Sequence, residues 1–452
     1  MAAGMFFLPQ AGTCDPSEKP NIILILADDL GYGDIGPYGC RDIHTPNLDR
    51  LAASGICLTS GYVTHPYCGP SRAGIMTGRY QQSFGFWRNP PILPKSRSVG
   101  LDTEEETLGD VMTRAGYRTA AFGKWHLSAS EMFHPNNRGF HEFYGFLSGG
   151  HHYFPVQYAD QMKRWANQAP PPAGELYGYA TPLEFNGINL PPQEGYLSDL
   201  LTSQAISFMR NYKDRPLFLY MAYNAPHTPL EAPKKYIEKY NHIPNEKRRN
   251  YAAMVDNLDW NIGRLIAELD KLEKRENTLI VFLSDNGGPC SQNGSSNGSL
   301  RDGKGCVAEG GVHVPFIFNW PSRLPQGGKV DVPISSLDLL PTFAALAGVG
   351  PAGQPLDGTN VWPWLLGRTD DVPHKRLFWG ITESHQMGMR EGNLKLLRMG
   401  ENKPWELFNL SEDIGEKNDL SEQMPESLKT MEKEYLEWLS PMPPERWSGP
   451  GK

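Results

Sequence analysis

Two stretches of the chain carry unbroken apolar runs, rich in β-branched side chains, that end in polar oxygens. Residues 21–29 read Asn-Ile-Ile-Leu-Ile-Leu-Ala-Asp-Asp, and residues 278–286 read Thr-Leu-Ile-Val-Phe-Leu-Ser-Asp-Asn. A run of this length without polar alternation predicts a strand buried on both faces, as in a parallel sheet covered by helices. Residues 217–223 form a third such run, and a shorter strand-like segment, 117–122, follows a helix-like one over 103–115. Apolar spacing of three and four at Met254, Leu258, Ile262, Leu265, Ile266 and Leu269 predicts a helix over 251–274. Thr45-Pro46 and Gly55 bracket another helix over 47–54, and 71–78 and 337–346 have the same character. Strand and helix patterns alternate over 21–369, which predicts one large α/β domain with a mostly parallel sheet sandwiched by helices.

Past the Gly367-Arg368-Thr369-Asp370-Asp371 break the period changes. Short alternating stretches at 377–382, 386–390, 394–399 and 405–410, with a turn at Glu391-Gly392-Asn393, predict antiparallel strands, and 426–439 a closing helix. Residues 370–452 are therefore expected to form a smaller α+β subdomain. Met5-Phe6-Phe7-Leu8 before Pro9 is too short for a whole signal peptide, so residues 1–20 read as a leader remnant or the start of an expressed fragment.

Composition narrows the function classes. The net charge of -8 argues against a nucleic-acid partner, and an anionic substrate would need a local basic pocket. No run of about 18 apolar residues exists, which predicts no transmembrane anchor. Of six cysteines, Cys290 and Cys306 bracket a Ser/Asn/Gly-rich loop; a disulfide bracing that loop and two unpaired thiols are both open readings.

In an open α/β sheet, ligands collect beyond the carboxyl ends of the strands. The two apolar runs would thus deliver Asp28, Asp29, Asp285 and Asn286 to one rim, an all-oxygen set suited to a hard cation. Three further elements follow predicted strands or loops: Gly123-Lys124-Trp125-His126, Ala225-Pro226-His227-Thr228-Pro229, and Gly303-Lys304 with Glu309-Gly310-Gly311. Each is weak alone, as a turn, a loop histidine or a solvated lysine. Together they accompany Cys68-Gly69-Pro70-Ser71-Arg72, with Thr77-Gly78-Arg79 downstream.

This last run resembles the modification signature of the type I, formylglycine-dependent sulfatases of the alkaline phosphatase superfamily. The other elements resemble that family's remaining motifs, in family order. The resemblance covers all but the first twenty residues and implies an alkaline-phosphatase-like fold whose smaller C-terminal subdomain has four strands and a helix. It also implies one calcium ion on Asp28, Asp29, Asp285, Asn286 and the modified Cys68, and hydrolysis of a sulfate ester, here on a sulfated carbohydrate, as in bacterial carbohydrate sulfatases. Cys68, as 3-oxoalanine (formylglycine) hydrate, would attack sulfur, with Asp285 as the likeliest proton acceptor in that attack. Arg72 would pair with the nucleophile and the metal carboxylates, and Lys124 and Lys304 would hold sulfate oxygens. His227, helped by Lys304, would protonate the leaving alcohol, and His126 would take a proton from the remaining hydroxyl. A formylglycine-generating or anaerobic maturating enzyme would act during biosynthesis, and a bacterial protein of this type would be periplasmic or secreted. Loops carrying Trp87, Arg88 and Asn89, and His151, His152 and Tyr153, would form the sugar subsite, joined by Glu383, His385 and Arg390. A phosphonate or phosphodiester hydrolase sharing the formylglycine, and a non-catalytic glycan-binding relative, remain alternative readings.

Overall fold

The 21–27 run becomes the central strand of a ten-stranded sheet in the structure, a computed structural model that describes residues 19–162, 179, 181–369 and 371–447. The expected leader and Cys14 lie outside the described residues, except for Lys19 and Pro20. In chain order the strands are β1 (Asn21–Ala27), β2 (Ile56–Leu58), β3 (Gly61–Tyr62), β4 (Arg118–Lys124), β5 (Glu142–Phe146), β6 (Glu184–Phe185), β7 (Ile188–Asn189) and β8 (Leu217–Ala222). They continue as β9 (Thr278–Ser284), β10 (Phe316–Asn319), β11 (Gly328–Val330), β12 (Ile334–Ser335), β13 (Arg376–Ile381), β14 (Gln386–Glu391), β15 (Leu394–Met399) and β16 (Trp405–Asn409). The large sheet runs β11-β2-β10-β9-β1-β8-β4-β5-β6-β7, with β9, β1, β8, β4 and β5 mutually parallel. β10 pairs antiparallel with β9, which makes the sheet mixed.

Alternation along β1 sends Ile22, Leu24 and Leu26 to one core and Ile23, Ile25 and Ala27 to the other. Helices cover both faces, so the uninterrupted apolar run has its physical cause. On the first face lie α2 (Cys68–Thr77), α3 (Leu108–Arg114) and α6 (Leu339–Leu346); on the second lie α1 (Pro46–Ala53), α4 (Leu197–Asn211) and α5 (Glu246–Lys271). Fully burying one such leucine contributes about 1.5–3 kcal/mol. The 103–115 segment yields a shorter helix than its composition suggests. Thr107 and Asp110 form a capping box, with Asp110 N–H donating to Thr107 Oγ1 (3.2 Å) and Thr107 N–H to Asp110 Oδ2 (3.0 Å), so the helix begins at Leu108. Conversely, α2 starts at Cys68 itself, three residues earlier than the 71–78 reading. Among the described residues, no helix is long and apolar enough to cross a membrane.

β13–β16 form an antiparallel four-stranded sheet in sequence order, with α7 (Pro425–Leu439) packed against it. A buried polar network holds this sheet to β3, which pairs with β12 in a two-stranded sheet, and to the 309–313 segment. Lys395 Nζ donates to Glu309 Oε1 (2.6 Å), while Glu309 Oε2 accepts from Tyr62 Oη (2.6 Å) and lies 3.0 Å from His313 Nδ1. Arg390 donates to the same Tyr62 hydroxyl, and Glu416 Oε2 accepts from Glu309 N–H (2.9 Å). Burial would raise the Glu309 carboxyl, but Lys395 and His313 together hold it well below the usual range. Burial pushes Glu416 up to about 8, and Glu309 nearby pushes the same way.

Breaking one partner of a buried ion pair leaves an uncompensated charge and costs about 3–5 kcal/mol. Lys395→Met should therefore lower unfolding free energy by about that amount in urea titrations. Glu416 acts with the opposite pH sign from an ordinary paired carboxylate. Its folded-state value of about 8 exceeds the ordinary 4.5, so its contribution is full below 4.5 and is lost as pH rises through 8. Glu416→Gln should flatten the fall in stability between those limits, read as Tm against pH; an unchanged slope would contradict the assignment.

Candidate active site

Four parallel strands end at one rim. Asp28 and Asp29 follow β1, Asp285 and Asn286 follow β9, Lys124 closes β4 with His126 just beyond, and His227 lies in the loop after β8. Backbone bonds lock the edges together: Asp28 N–H donates to Ala225 O (3.0 Å) and Asp285 N–H to Ala27 O (3.0 Å). Asp29 sits at φ 65°, a left-handed conformation that turns the chain sharply after the strand. Its N–H reaches Asp285 Oδ1 (3.3 Å), and its Oδ1 accepts from Asn286 Nδ2 (2.7 Å).

Cys68 opens α2, a helix whose ten residues are all buried. Arg72, four residues on, lies on the same helical face. Its Nε donates to Asp285 Oδ2 (2.9 Å), its Nη1 to the Lys124 carbonyl (2.9 Å), and its Nη2 lies 3.7 Å from Asp28 Oδ2. Cys68 Sγ is 3.3 Å from Asp28 Oδ1 and 3.4 Å from Lys304 Nζ. Lys124 Nζ donates to Asp28 Oδ2 (2.6 Å), and Lys304 Nζ contacts both Asp29 oxygens (2.7 and 2.8 Å). His227 Nε2 stands 3.6 Å from Asp29 Oδ2. Asp28, Asp29, Cys68 and His227 each offer a ligand atom, and these atoms lie within 4.8 Å of one another.

The charges tune each other. Burial raises the Asp29 carboxyl, but Lys304 and His227 overcome it and hold it at about 2. Asp285 is pushed up to about 6 by burial and by Asp28. Burial, then Asp28 and Asp285, push the Cys68 thiol well above its ordinary value, so it stays protonated and is a poor nucleophile as a thiol. Burial and Lys304 lower His227 to about 3, and burial with Lys124, Arg72 and Lys304 lowers His126 far below the usual range. His227 Nδ1 is 2.6 Å from the Thr228 carbonyl, which fixes the proton there and leaves Nε2 facing the rim.

The structure brings all ten predicted catalytic and metal residues together, but it divides the predicted sugar subsite. His151 and Tyr153 are fully buried and offer a sugar no surface. Both His151 ring nitrogens face carbonyls, and Tyr153 Oη donates to the carbonyls of Asn224 (2.6 Å) and His227 (2.9 Å), bracing the loop that carries His227. Trp87 is likewise buried, with its indole N–H donating to Pro443 O (2.8 Å), so its face packs rather than stacks on a ligand. Arg390 belongs to the buried network under β13–β16. These four residues were misassigned. A loop aromatic or a lone arginine reads the same in sequence whether a distant segment covers it or not. Asn89, His152, Glu383 and His385 do reach the surface, and Arg88 is clamped between Glu383 (3.3 Å) and Glu445 (2.6 Å). Asn89 Oδ1 accepts from Gly69 N–H (2.8 Å), one residue past the cysteine.

Sequence reasoning missed Tyr67, Glu231 and Tyr179. Tyr67 caps α2, and its phenol is pushed up by burial and Glu383, with Lys304 acting against them. Glu231 accepts from Tyr153 N–H (2.8 Å), lies 2.9 Å from His152 Nδ1, and also accepts from Tyr158 Oη. Tyr179 leans over His227 and His152, ring centroids 6.1 Å from each. The proximity of Glu231 to His227 was the one usable signal. Cys290 and Cys306 are both free thiols. Asn297 braces that loop instead, donating to Gly288 O (2.9 Å) and Asp302 O (2.8 Å) and accepting from Gly288 N–H (3.0 Å).

Comparison with known proteins bears on this arrangement. The family profile described as Sulfatase matches residues 20–349, and that described as N-sulphoglucosamine sulphohydrolase, C-terminal, matches residues 302–440. Human arylsulfatase A is 36% identical over 373 residues, covering 80% of this chain and 71% of the relative. Human N-acetylgalactosamine-6-sulfatase is 33% identical over 409 residues, covering 84% and 75%. The solved structure of Ps i-CgsB in complex with k-i-k-neocarrahexaose superposes with a TM-score of 0.87 at 42% identity, covering 95% of each chain.

Gly149 supports His126 by having no side chain. A Cβ there would lie 2.6 Å from His126 Nε2 and 2.9 Å from its Cε1. His126 has φ 56° and cannot retreat freely. A displacement of about 1 Å at a reacting group can cost on the order of 10²-fold in rate. Gly149→Ala should lower aryl-sulfate turnover by about that factor with an unchanged circular-dichroism spectrum; near wild-type turnover would show that the ring position is not critical.

Proposed function

This chain belongs to the sulfatase family and is a sulfuric ester hydrolase, and we propose that it removes sulfate from a sulfated carbohydrate, using Cys68 converted to formylglycine and one calcium ion. The observation that carries the catalytic assignment is the set of three carboxylates and three cations gathered around Cys68. A protonated, buried thiol has no evident use there. Its Sγ stands in for the oxygen of the hydrated aldehyde, which supplies the nucleophile when the modification is present.

The residues fit a hard divalent cation. Asp28, Asp29 and Asp285 offer only oxygens, and Asn286 Oδ1 is a buried acceptor with no hydrogen-bond partner among the described residues. Asp28, Asp29, Asp285 and Asn286 would hold calcium, which when bound supplies charge neutralisation for sulfate. Lys124 and Lys304 aim their ammonium groups into the same space and hold sulfate oxygens. Arg72 keeps Asp285 and Asp28 in place from beneath. Asp285, whose carboxyl burial and Asp28 push up to about 6, is the base for the attacking hydroxyl. His227 presents Nε2 at the rim and, once protonated beside the anionic substrate, delivers that proton to the leaving oxygen. His126 has no partner for its buried Nδ1 among the described residues and is the second proton acceptor.

A carbohydrate substrate is supported by the rim itself. Tyr67, Asn89, His152, Tyr179 and Glu383 mix ring faces with donors and acceptors, as sugar recognition requires. The neocarrahexaose bound by Ps i-CgsB, 42% identical over nearly the whole chain, gives the first substrate class to try. A sulfated glycan of that class is too large and charged to cross a membrane unaided, which supports a periplasmic or secreted location. Cys68 begins a wholly buried helix, so the maturating enzyme must read its tag before the chain folds.

Cys68→Ala and Cys68→Ser should abolish sulfate release without unfolding the protein. Activity of Cys68→Ser near that of wild type would sink the formylglycine assignment. Dialysis against a chelator should remove turnover and calcium should restore it. His227→Ala tests the leaving-group role. General acid catalysis supplies about 10²–10⁴-fold, so a sugar sulfate should lose turnover by that order while nitrophenyl sulfate, whose phenolate leaves unaided, is largely spared. Equal losses on both esters would mean that His227 does something else.

A further inference from the structure

Trp260 is the most exposed Trp, Tyr or Phe among the described residues, at 40%. It projects from α5 beside a turn, Lys234–Ile237, that follows the His227 loop. Lys235 Nζ lies 5.1 Å from the indole centroid and Arg264 Cζ 4.9 Å from it. Tyr236, buried, stands behind the indole at 6.5 Å between centroids, and Lys239 Nζ lies 4.6 Å from the Tyr236 ring.

The charges around the ring are unevenly satisfied. Lys239 is held by Asp256 (2.9 Å) and Lys234 by Glu238 (3.6 Å). Lys235 pairs with no carboxylate among the described residues, and Arg264 donates to neutral oxygens: Asp199 O (3.2 Å), Asn261 Oδ1 (2.9 Å) and Ser203 Oγ (2.9 Å). An exposed indole beneath two cations that meet no carboxylate among the described residues runs against the chain's net charge of -8. Lys235 and Arg264 both lie over the indole ring, so sulfate groups of a polymer can meet the two cations there while a pyranose ring packs against the exposed part of the indole.

We propose that Trp260, Lys235 and Arg264 form a second, non-catalytic binding site for a sulfated polysaccharide chain. The proposal rests on the carbohydrate reading of the active site. Lys235 is eight residues beyond His227, so chain reach puts the two within roughly 29 Å of each other. A polymer held at the patch therefore keeps its neighbouring sulfates within a few sugars of the rim. The effective concentration of substrate rises without any new catalytic contact.

The test separates binding from turnover. Electrophoresis of the mature, calcium-loaded enzyme through gels containing dextran sulfate, dextran or double-stranded DNA reads the patch directly. Wild type should be retarded by dextran sulfate alone. Trp260→Ala and Lys235→Glu should each weaken that retardation about tenfold, the loss of one stacking or charge contact, while nitrophenyl-sulfate turnover stays unchanged. On a sulfated polymer the same variants should raise KM about tenfold and leave kcat alone. Lys235→Glu guards against any folding defect in Trp260→Ala. Wild-type retardation in both variants, or no retardation of wild type, overturns the proposal. Equal retardation by DNA overturns the assignment to sugar. Wild type that is retarded by dextran sulfate but desulfates no carbohydrate would instead count against the carbohydrate reading of the active site.

Discussion

The contact between Arg72 and Asp285 sets the geometry on which the other site residues depend. Both side chains are without solvent exposure, and their closest atoms are 2.8 Å apart. A guanidinium so placed cannot remain unpaired, because its desolvation costs several kcal/mol. Arg72 meets that constraint by reaching three strand ends at once: Asp285 after β9, Asp28 after β1 and the carbonyl of Lys124 at the end of β4. The same helix carries Cys68 one turn earlier on the same face, so the ion pair that closes the rim also fixes the position of Cys68.

Charge balance governs the rim in turn. Asp28, Asp29 and Asp285 face Arg72, Lys124 and Lys304, and each lysine is spent on one aspartate: Lys124 on Asp28, Lys304 on Asp29. Lys124 and Lys304 are free to turn toward sulfate oxygens only to the extent that a divalent cation satisfies those carboxylates. Cation and anion are therefore expected to bind with positive coupling. A neutral site with preset dipoles has little reorganisation left to do when charge moves toward the leaving oxygen.

Much of this was legible in the sequence, for identifiable reasons. Strands buried on both faces leave continuous apolar runs, and a carboxylate pair directly after such a run has few places to be except the strand's end. The buried strands, the rim aspartates and the α2 residues were all fixed by such local signals. The antiparallel pairing of β10 and the short strand β5 had no comparable pattern. Exposure was the hardest property to read. Trp87 is covered by the segment around Pro443, and Arg390 by Tyr62, more than three hundred residues away in each case. Tyr153 is buried because Glu231 and the carbonyls of Asn224 and His227 draw it inward. For the loop cysteines the sequence left a disulfide and free thiols both open; the thiols are free, and Asn297 supplies by hydrogen bonding the bracing that a disulfide would have given.

The misread aromatics show how the C-terminal chain takes part in the site. Glu445 and Glu383 clamp Arg88, Trp447 Nε1 donates to Asn89 O (3.3 Å), and Arg446 N–H donates to Gly85 O (3.0 Å). The loop they hold carries Asn89, whose Oδ1 caps Gly69 N–H beside Cys68. The N-terminal end of α2 is thus supported on one side by the contacts of its own Arg72 with the strand ends, and on the other by a loop that the last described residues fasten down. The first support is made of charges whose pairing chemistry demands; the second is made of ordinary hydrogen bonds and packing. The inner support can tolerate little substitution, while the outer wall can change its side chains as long as the clamp survives. Side chains that take no part in the clamp, such as those of His152 and Tyr179, can therefore vary without loosening the end of α2 that carries Cys68.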